Sequence, residues 1–579
     1  MNPLVQSVNA PRYALGSCEA AVQARITELR RTGFVRKLWA KDPSLWSHDP
    51  AQQQSIRHAL GWLHVMEQQA RQLPRINRVA EAIRAAGFKH VLLLGMGGSS
   101  LCPEVFRMTF GIVPGFPELH VLDSTVPAQV RRFEQRVDLA KTLCIVASKS
   151  GSTTEPLVFY RYFFDRMRQV KGDQAGENFL AITDPGSRLE NLAKESRFRD
   201  ILPGVPDIGG RYSALSNFGI VPAALMGVNV ERLLDRAERM RQSCEASVPP
   251  EDNPGVMLGV VMGELAQQGR DKITFITSPA LGALGAWMEQ LIAESTGKEG
   301  KGIVPVADEP LGAPEAYGAD RFFAYICYAG GADSAQDAAV VALEQAGHPV
   351  VRIELTDLLN LGEEFFLWEM ATAVAGSLLG INAFDQPNVQ ESKDSTKAFL
   401  DAYTQTGRLP EETPILIADG IKVYGDAATR EALAGASTVD AVLKAHLDRV
   451  KAGDYVALNA YVERTEASHQ ALQGMRVLVR DRKKVATTVG YGPRFLHSTG
   501  QLHKGGPNSG LFIQITSDDA EDLPIPSEPY TFGVLKAAQA LGDFACLGAN
   551  HRRVLRVHFG ADVEAGLKTL QAAIEQALG

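Results

Sequence analysis

The stretch HVLLLGMGGSS, residues 90–100, decides the fold class. A short unbroken apolar run is followed by glycines and serines and then by a helix-like segment, an order typical of a parallel sheet covered on both faces. Glycine lets backbone approach a ligand, and the N–H groups of such a turn favour an anion. The spacing is neither GxGxxG with a placed acidic residue nor an ending in GK[ST], so a phosphate loop, a dinucleotide fingerprint and a plain turn all stay open.

Further apolar runs continue this pattern along the chain, with helical segments between them. They are LHVLD (119–123), TLCIVAS (142–148), NFLAITD (178–184), KITFITS (272–278), FFAYICYAG (322–330) and PVVRIEL (349–355). After the breaker-rich TGRLPEETP (406–414) the predicted strands are PILIADG, DYVALNAYV, MRVLVRD, GLFIQIT and VLRVHFG.

Together these runs predict an α/β fold with two flavodoxin-like parallel-sheet domains. A helical N-terminal region precedes them and a C-terminal α/β unit follows them. The predicted boundaries are 1–85, 86–230, 231–408 and 409–579.

Composition bounds the class of protein. The chain has 579 residues, 45% hydrophobic and 22% charged, with a net charge of −8. This mild acidity argues against nucleic acid as the main partner, but it leaves room for a small anionic ligand in a local pocket. Six scattered cysteines without a CxxC pair fit a reduced cytoplasmic protein. The start, MNPLVQSVNAPRYALG, lacks a signal-peptide pattern, and no apolar run reaches membrane-span length, so no membrane partner is expected.

A second loop, SKSGSTTEP (148–156), follows the strand TLCIVA. Its hydroxyls and free N–H groups can surround a phosphate without much net charge. Ligands of open parallel sheets bind at the carboxyl edge of the strands, where this loop and the one after residue 94 both lie. A serine-rich turn with an N-cap is the alternative, and the second such loop makes it less attractive.

Four motifs carry a resemblance to a known family. VASKSGSTTEP resembles the phosphate loop of sugar isomerase (SIS) domains, and DIGGRYSALSNFG (207–219) resembles the GGR[YF]S signature of phosphoglucose isomerases. ESTGK (294–298) looks like the catalytic glutamate motif of that family, and FDQPNVQESK (384–393) like its second signature. The chain is similar in particular to the isomerase part of transaldolase–isomerase fusions, without room for a transaldolase barrel before residue 90.

The resemblance implies two SIS domains and a cytosolic, cofactor-free and metal-independent isomerase. Its reaction interconverts glucose 6-phosphate and fructose 6-phosphate through an enediolate, in glycolysis and gluconeogenesis. Members of the family are usually homodimers.

The resemblance also implies the roles of individual residues. Glu294 is the base that moves the proton, a task for a carboxylate whose pKa is tuned by a sheltered pocket. Arg211 stabilises the developing enediolate oxygen. Lys393 lies near the ring oxygen during ring opening. The implied substrate and phosphate contacts are Gly98, Ser99, Ser148, Lys149 (through its backbone), Ser150, Thr153, Gly210, Gln290 and Gln386.

The chain departs from the family pattern at two points. The usual second signature has glycine in place of Asn388 and glutamate in place of Gln390. In addition, the interval 299–383, where the family carries its ring-opening histidine, holds only His348. The later segment YGPRFLHSTGQLHKGGPNSGLFIQI (491–515) resembles the missing histidine segment. This alignment assigns ring opening to His503, with His497 as a neighbour or a loop residue.

Several alternatives stay open at the level of sequence. Two histidines six residues apart without a nearby cysteine or carboxylate cluster make a weak metal site. SIS domains also serve as non-catalytic sugar-phosphate sensors, but a sensor has no need of Glu294, Arg211 and Lys393. A glucosamine-6-phosphate synthase-like isomerase would carry cysteine after the first Met, and residue 2 is asparagine. Whether His503 acts in its own chain or across a dimer is also open.

Overall fold

A computed structural model describes residues 8–331 and 333–579 of the chain. The first part of the predicted helical region, residues 1–7, on which the absence of a leader was judged, lies outside these ranges. None of the helices within them is both long and apolar enough to cross a bilayer.

The N-terminal region is mainly helical, as predicted, but it begins with a short strand. Its elements are β1 (Arg12–Ala14), α1 (Glu19–Thr32), α2 (Phe34–Trp39), α3 (Pro50–Arg57) and α4 (Val65–Ala85). Helix α1 ends at Gly33, whose φ of 66° favours glycine, and Asp49 caps α3 ahead of Pro50.

The first sheet follows, and it is parallel throughout. Its elements are β2 (His90–Gly95), α5 (Leu101–Phe110), β3 (Glu118–Leu122), α6 (Pro127–Arg136), β4 (Thr142–Ala147), α7 (Thr154–Lys171), β5 (Phe179–Thr183), α8 (Arg188–Glu195), β6 (Asp200–Pro203) and α9 (Asn217–Leu225). The strand order is β3-β2-β4-β5-β6, so the order reverses between β2 and β4. Gly95 pairs with Ala147 at this switch point, which brings together the two loops singled out in the sequence.

The second sheet contains four parallel strands and one antiparallel edge. Its elements are α10 (Val230–Ser243), α11 (Pro254–Gln267), β7 (Lys272–Thr277), α12 (Leu284–Thr296), β8 (Val304–Val306), β9 (Arg321–Tyr328), α13 (Ser334–Gln345), β10 (Val350–Leu355), α14 (Leu361–Leu379) and α15 (Pro387–Thr406). The order is β1-β10-β9-β7-β8, and the antiparallel edge is β1 from the N-terminal region. Helix α14 is buried without a break from Leu361 to Gly376, which explains its apolar sequence.

The C-terminal unit forms the third sheet. Its elements are β11 (Leu416–Ala418), β12 (Ile421–Gly425), α16 (Ala427–Ala432), α17 (Val439–Leu447), β13 (Tyr455–Tyr461), α18 (Glu466–Lys483), β14 (Ala486–Tyr491), α19 (Gly500–Gly505), β15 (Gly510–Ser517), α20 (Phe532–Ala549), β16 (Arg553–Phe559) and α21 (Val563–Leu578). The order is β11-β12-β16-β15-β13-β14, in which β13 to β16 are parallel and β11 and β12 form an antiparallel edge.

The predicted strand MRVLVRD, residues 475–481, lies instead in α18. Thr465 caps this helix in a capping box with Ser468, and Leu472, Met475 and Val479 are buried at steps of three and four residues. The helix also supplies the crossover that the parallel strands β13 and β14 need. The apolar run is too short to show whether its buried residues repeat every two positions, as in a strand, or every 3.6 positions, as in a helix.

The third sheet unit is packed firmly onto the other two. Phe532 at the start of α20 stacks on Phe159 of α7, with ring centroids 6.1 Å apart, inside a hydrophobic cluster shared with the first sheet. Its contact with the second sheet unit surrounds a buried ion pair that lies within that unit. Arg321 of β9 donates to Glu309 at 3.0 Å, and both side chains are 0% exposed.

The third sheet completes the surroundings of Glu309. Thr487 of β14 donates to its Oε1 at 2.8 Å, and the guanidinium of Arg476 on α18 lies 4.0 Å away. Burial alone raises the pKa of Glu309, but the charges of Arg321 and Arg476 outweigh it and hold the pKa below the ordinary value.

Replacing Glu309 by alanine is expected to destabilise the protein by about 3–5 kcal/mol, because Arg321 would stay buried without a counter-charge. Urea unfolding at neutral pH measures the loss, and the exposed Glu315→Gln variant should stay within about 0.5 kcal/mol of wild type. Because the pKa of Glu309 is lowered, its contribution is present above the ordinary carboxyl pKa and is lost as the pH falls through the lowered value. A Glu309→Ala variant as stable as wild type would contradict this account.

Candidate active site

The two loops at the switch point of the first sheet form a polar cradle. Ser148 and Ser99 are buried, 2% and 7% exposed, while Ser150 lies at the surface of the loop. The hydroxyl of Ser148 donates to Oγ1 of Thr153 at 3.2 Å, and Ser150 shares a 3.0 Å hydrogen bond with Ser152. Hydroxyl groups and turn N–H groups that converge in this way suit a phosphate.

The side chain of Lys149 points away from this cradle. Its ammonium pairs with Asp184 and donates to the carbonyl oxygen of Val205 at 3.1 Å. Only the backbone of Lys149 is left to face a ligand, in line with the role implied by the resemblance.

A glycine contact brings the GGRYS turn against the first loop. A Cβ added at Gly98 would lie 1.9 Å from the carbonyl oxygen of Gly210, so only glycine permits this approach. Gly97, with a φ of +55°, is enclosed in the same way, by Nε2 of Gln290 at 2.8 Å and the carbonyl oxygen of His497 at 3.0 Å from its added Cβ. Four chain segments therefore meet at two adjacent glycines.

Arg211, in the turn Gly210–Tyr212, connects the cradle to the second sheet unit. Its guanidinium is 3% exposed and donates to Oγ of Ser295 at 2.7 Å and to Oε1 of Gln386 at 2.9 Å. It also donates to the carbonyl oxygens of Ala383 and Asp385, at 2.8 and 2.9 Å. These bonds fix the guanidinium plane while one edge still faces Glu294.

Glu294 lies near the end of α12, with its carboxylate between two polar groups. Nε2 of Gln290, one turn earlier, donates to Oε2 at 3.0 Å, and Nη1 of Arg211 lies 3.7 Å from Oε1. The residue is 8% exposed. A carboxylate in a sheltered cleft beside a guanidinium is suited to moving a proton on carbon and stabilising the negative charge that results.

Lys298 is a further member of the site that the sequence reasoning missed as an individual residue. Its ammonium is 1% exposed and pairs with Oδ1 of Asp385 at 2.8 Å. Burial, helped by the charge of Arg211, lowers the pKa of Lys298 to about 8. The pair joins the ESTGK segment to the segment that precedes α15, which ends at Gln386.

His497 reaches this cleft from the third sheet unit of the same chain. It ends a 3₁₀ turn that starts at Arg494, and its Nε2 lies 2.9 Å from Oε1 of Glu155 in the first turn of α7. Gln539 also donates to that oxygen, at 2.7 Å. Burial would raise the pKa of Glu155, but His497 and then Lys393 outweigh it and hold this pKa below the ordinary value. Lys393 is exposed in the second turn of α15, and its charge contributes to the lowered pKa of Glu155.

His503, the histidine that the sequence alignment assigned to ring opening, lies apart from these residues in the structure. Its ring is 2% exposed and packs against Phe512, Phe495 and Tyr455, with centroids 5.0, 6.0 and 6.2 Å away. Within residues 8–331 and 333–579 neither ring nitrogen has a hydrogen-bond partner. Burial, with Lys504 and Arg552 nearby, holds the pKa of His503 well below its ordinary value. The side chain is part of an aromatic core instead of the cleft.

The departure at Asn388 has a structural reason. Its backbone N–H and side-chain oxygen bond Gln501 of α19 at 2.9 and 2.7 Å, and Gln501 also donates to the carbonyl oxygen of Gly297 at 3.0 Å. A glycine at residue 388 would lose the side-chain bond. Asn388 thus helps to hold the histidine segment on the second sheet unit. The side chain of Gln390 donates to Asp394 at 2.7 Å on the surface.

Two functional candidates, Glu155 and His497 as the acid–base histidine, were missed from the sequence. Glu155 stands in the first helical turn after a serine and threonine loop, where a glutamate is common because it favours the helix dipole. The HST and LHK parts of segment 491–515 both offer a histidine. Only the turn between them shows that they point to different places.

Comparisons with known proteins show the family and the fold of the chain. A family model described as phosphoglucose isomerase matches residues 63–308. A glucose-6-phosphate isomerase of Rubrobacter xylanophilus is 31% identical over 370 residues, 55% of this chain and 84% of that protein. A probable glucose-6-phosphate isomerase of Methanococcus maripaludis is 29% identical over 355 residues, 53% of this chain and 77% of that protein.

Two solved structures resemble the chain. A hypothetical protein of Thermus thermophilus has a TM-score of 0.55 at 25% identity, and the match covers 67% of this chain and 99% of that one. A glucose-6-phosphate isomerase of Chlamydia trachomatis has a TM-score of 0.54 at 20% identity, covering 70% and 92%, and shares the fold.

The contact between Gly98 and Gly210 gives a test of this cleft. Gly98→Ala is expected to lower kcat/KM for a sugar phosphate by about 100-fold, because the added methyl separates the loop from the Arg211 turn. A coupled assay measures kcat/KM, and circular dichroism checks that the variant is folded. Gly560→Ala, with nothing within 4 Å of its added Cβ, is the matched control. Full activity of a folded Gly98→Ala variant would contradict the assignment.

Proposed function

The chain belongs to the phosphoglucose isomerase family, and we propose that this cleft interconverts glucose 6-phosphate and fructose 6-phosphate, with Glu294 as the base. The single observation that supports this most directly is the Glu294 carboxylate held between Gln290 and Arg211, next to a polar cradle at the switch point of the first sheet. A non-catalytic sugar-phosphate sensor would need the cradle but not this carboxylate.

The phosphate of the substrate binds the two loops of the first sheet. Ser148, Ser150, Thr153 and Ser99 supply hydroxyl groups, and the turn N–H groups, including that of Lys149, complete the cradle. Gly98 and Gly210 allow the sugar to lie between this cradle and Arg211.

Ring opening is assigned to His497 in place of His503. Because the lowered pKa keeps Glu155 ionised at neutral pH, its oxygen only accepts, and Nε2 of His497 carries the hydrogen between them. Nδ1 is then the nitrogen that exchanges a proton with the sugar as the ring opens. Lys393 takes the role that the resemblance implies for it, stabilising the ring oxygen as the ring opens.

Isomerisation of the open chain follows at Glu294. Its carboxylate removes the proton from C2 of the aldose, and electrons move into the carbonyl to give an enediolate. The guanidinium of Arg211 stabilises the developing oxyanion. The hydroxyl proton on O2 passes to O1, and the protonated Glu294 delivers its proton to C1, which gives the ketose. Gln290 orients the carboxylate through its 3.0 Å hydrogen bond, and Gln386 holds Arg211 while facing the substrate.

A homodimer is proposed from the resemblance to the family. The described cleft contains His497 from its own chain, so the residues named here do not require a second copy of the protein. A cytoplasmic location is also proposed from the resemblance to this family.

Glu294→Gln is expected to lower kcat by about 100- to 10,000-fold, because an amide cannot accept the C2 proton. Binding of a non-reacting sugar-phosphate analogue, measured by calorimetry, should change little, since the phosphate cradle is intact. Near-normal turnover of the variant would overturn the assignment of the base. Unchanged binding separates loss of chemistry from loss of fold.

His497→Asn is expected to slow turnover of fructose 6-phosphate by about 100-fold, because ring opening loses its acid–base group. An analogue that lacks the 5-hydroxyl group, 5-deoxyfructose 6-phosphate, cannot close its ring and should be slowed much less. His503→Phe, which keeps an aromatic ring in the apolar core, serves as the matched comparison and should retain activity on both substrates. Equal losses on both substrates in His497→Asn would exclude the ring-opening role.

A further inference from the structure

Three metal-ligating side chains meet at the edge of the first sheet opposite the cleft. His90 begins β2, and Glu118 and His120 lie at the start of β3. His90 pairs with Glu118 in the parallel register, and Leu92 pairs with His120. Paired residues of neighbouring strands share a face, and alternate residues of one strand share it too, so the three side chains project to the same side. We call them the His90 cluster.

The distances within the His90 cluster are close to those of a metal site. Nδ1 of His90 lies 3.1 Å from Nε2 of His120, which in turn lies 3.8 Å from Oε2 of Glu118. One ligand atom of each residue falls within 4.8 Å of the other two. Tetrahedral Zn²⁺ with bonds of about 2.0–2.1 Å separates its ligands by roughly 3.3–3.4 Å. The two imidazole nitrogens are already near this separation, and the carboxylate of Glu118 has to move closer to them to share one ion.

Neighbouring residues hold the side chains of the His90 cluster in place. His120 is 1% exposed, and its ring meets that of Phe133 edge-on with centroids 6.4 Å apart. Arg136 donates to Oε1 of Glu118 at 3.0 Å, which orients the carboxylate and leaves Oε2 facing the histidines. Outer contacts of this kind are typical of metal ligands.

Solvent reaches this edge of the sheet. A cavity of about 460 Å³ reaches the cluster at His120. Its charged lining consists of the carboxylates of Glu104, Asp123 and Glu466 and the guanidinium groups of Arg107, Arg132, Arg136, Arg464 and Arg494. These cations oppose a metal ion, and the carboxylate of Glu118 offsets part of their charge. Two imidazoles and one carboxylate suit Zn²⁺ or Co²⁺ better than Mg²⁺ or Ca²⁺, which prefer oxygen ligands.

We propose that His90, Glu118 and His120 bind one divalent transition-metal ion of the Zn²⁺ and Co²⁺ class, with solvent completing its coordination. The ion ties the amino ends of β2 and β3 together. Because the cleft lies at the carboxyl ends of the same sheet, the ion stabilises the fold and takes no part in the isomerase reaction.

Co²⁺ is the probe for this site, because tetrahedral Co²⁺ has intense visible absorption bands. Titration of the full chain with Co²⁺ should give saturable absorption at one equivalent, which Zn²⁺ abolishes by displacement. The thermal midpoint should rise with bound ion, since binding to the native state stabilises it. Isomerase activity should be the same with Co²⁺ and after EDTA treatment.

Variants decide whether the His90 cluster is the binding site. His90→Gln, Glu118→Gln and His120→Gln should each weaken Co²⁺ binding by about tenfold or more, because even contacts behind a ligand are worth 10- to 100-fold. His64→Gln is the matched control, since His64 and Glu67 form a surface pair at 3.6 Å. Circular dichroism checks folding, and His90→Gln, at a partly exposed position, provides a test if His120→Gln fails to fold.

Two results would overturn the proposal. One is the absence of saturable binding at one equivalent. The other is binding that persists in folded His90→Gln and Glu118→Gln variants, which would place the ion elsewhere. Loss of isomerase activity on EDTA treatment would contradict the structural role of the ion.

Discussion

The cleft depends on one buried guanidinium. Arg211 is fixed by Ser295, Gln386 and two carbonyl oxygens, and these bonds join the first sheet unit to both ends of the catalytic segment of the second. A buried cation costs free energy unless its donors are satisfied, so this arrangement holds the two units in one relative position. The 3.7 Å approach of the guanidinium to Glu294 follows from that position. Glycine at residue 98 lets the remaining loop close against the same turn.

A second polar group organises the other side of the cleft. Glu155 bonds His497 and Gln539 of the third sheet unit while it stands on a helix of the first. Asn388 and Gln501 tie the histidine segment to the second unit in a similar way. The three units thus share polar contacts where the substrate is proposed to bind. Elsewhere they meet in the hydrophobic contact of Phe159 with Phe532 and in the hydrogen bond from Thr487 to the buried Glu309.

Much of this structure could be predicted from local sequence, and the failures have physical causes. The apolar runs and glycine-rich turns predicted the parallel sheets, because buried strands and switch-point loops have strong local patterns. The strand predicted for MRVLVRD was wrong because a short apolar run fits a strand as well as a buried helix face. The capping by Thr465 decides for the helix. The choice of histidine could not be made from local sequence because His497 and His503 share one segment. Only contacts with distant residues, Glu155 for one and Phe512 for the other, distinguish their positions. The His90 cluster has no sequence signal, since its members come together through strand pairing.

The position of His497 in the same chain as Glu155 has a genetic consequence. In an enzyme whose site is shared between subunits, a defective copy can enter a mixed oligomer and impair the site of its intact neighbour. Here one gene encodes both His497 and Glu155, the proposed acid–base pair. A chain with a defect in one of these residues therefore leaves the pair complete in every other chain. Changes in the histidine segment and compensating changes around Glu155 can also accumulate in a single gene without passing through mismatched assemblies.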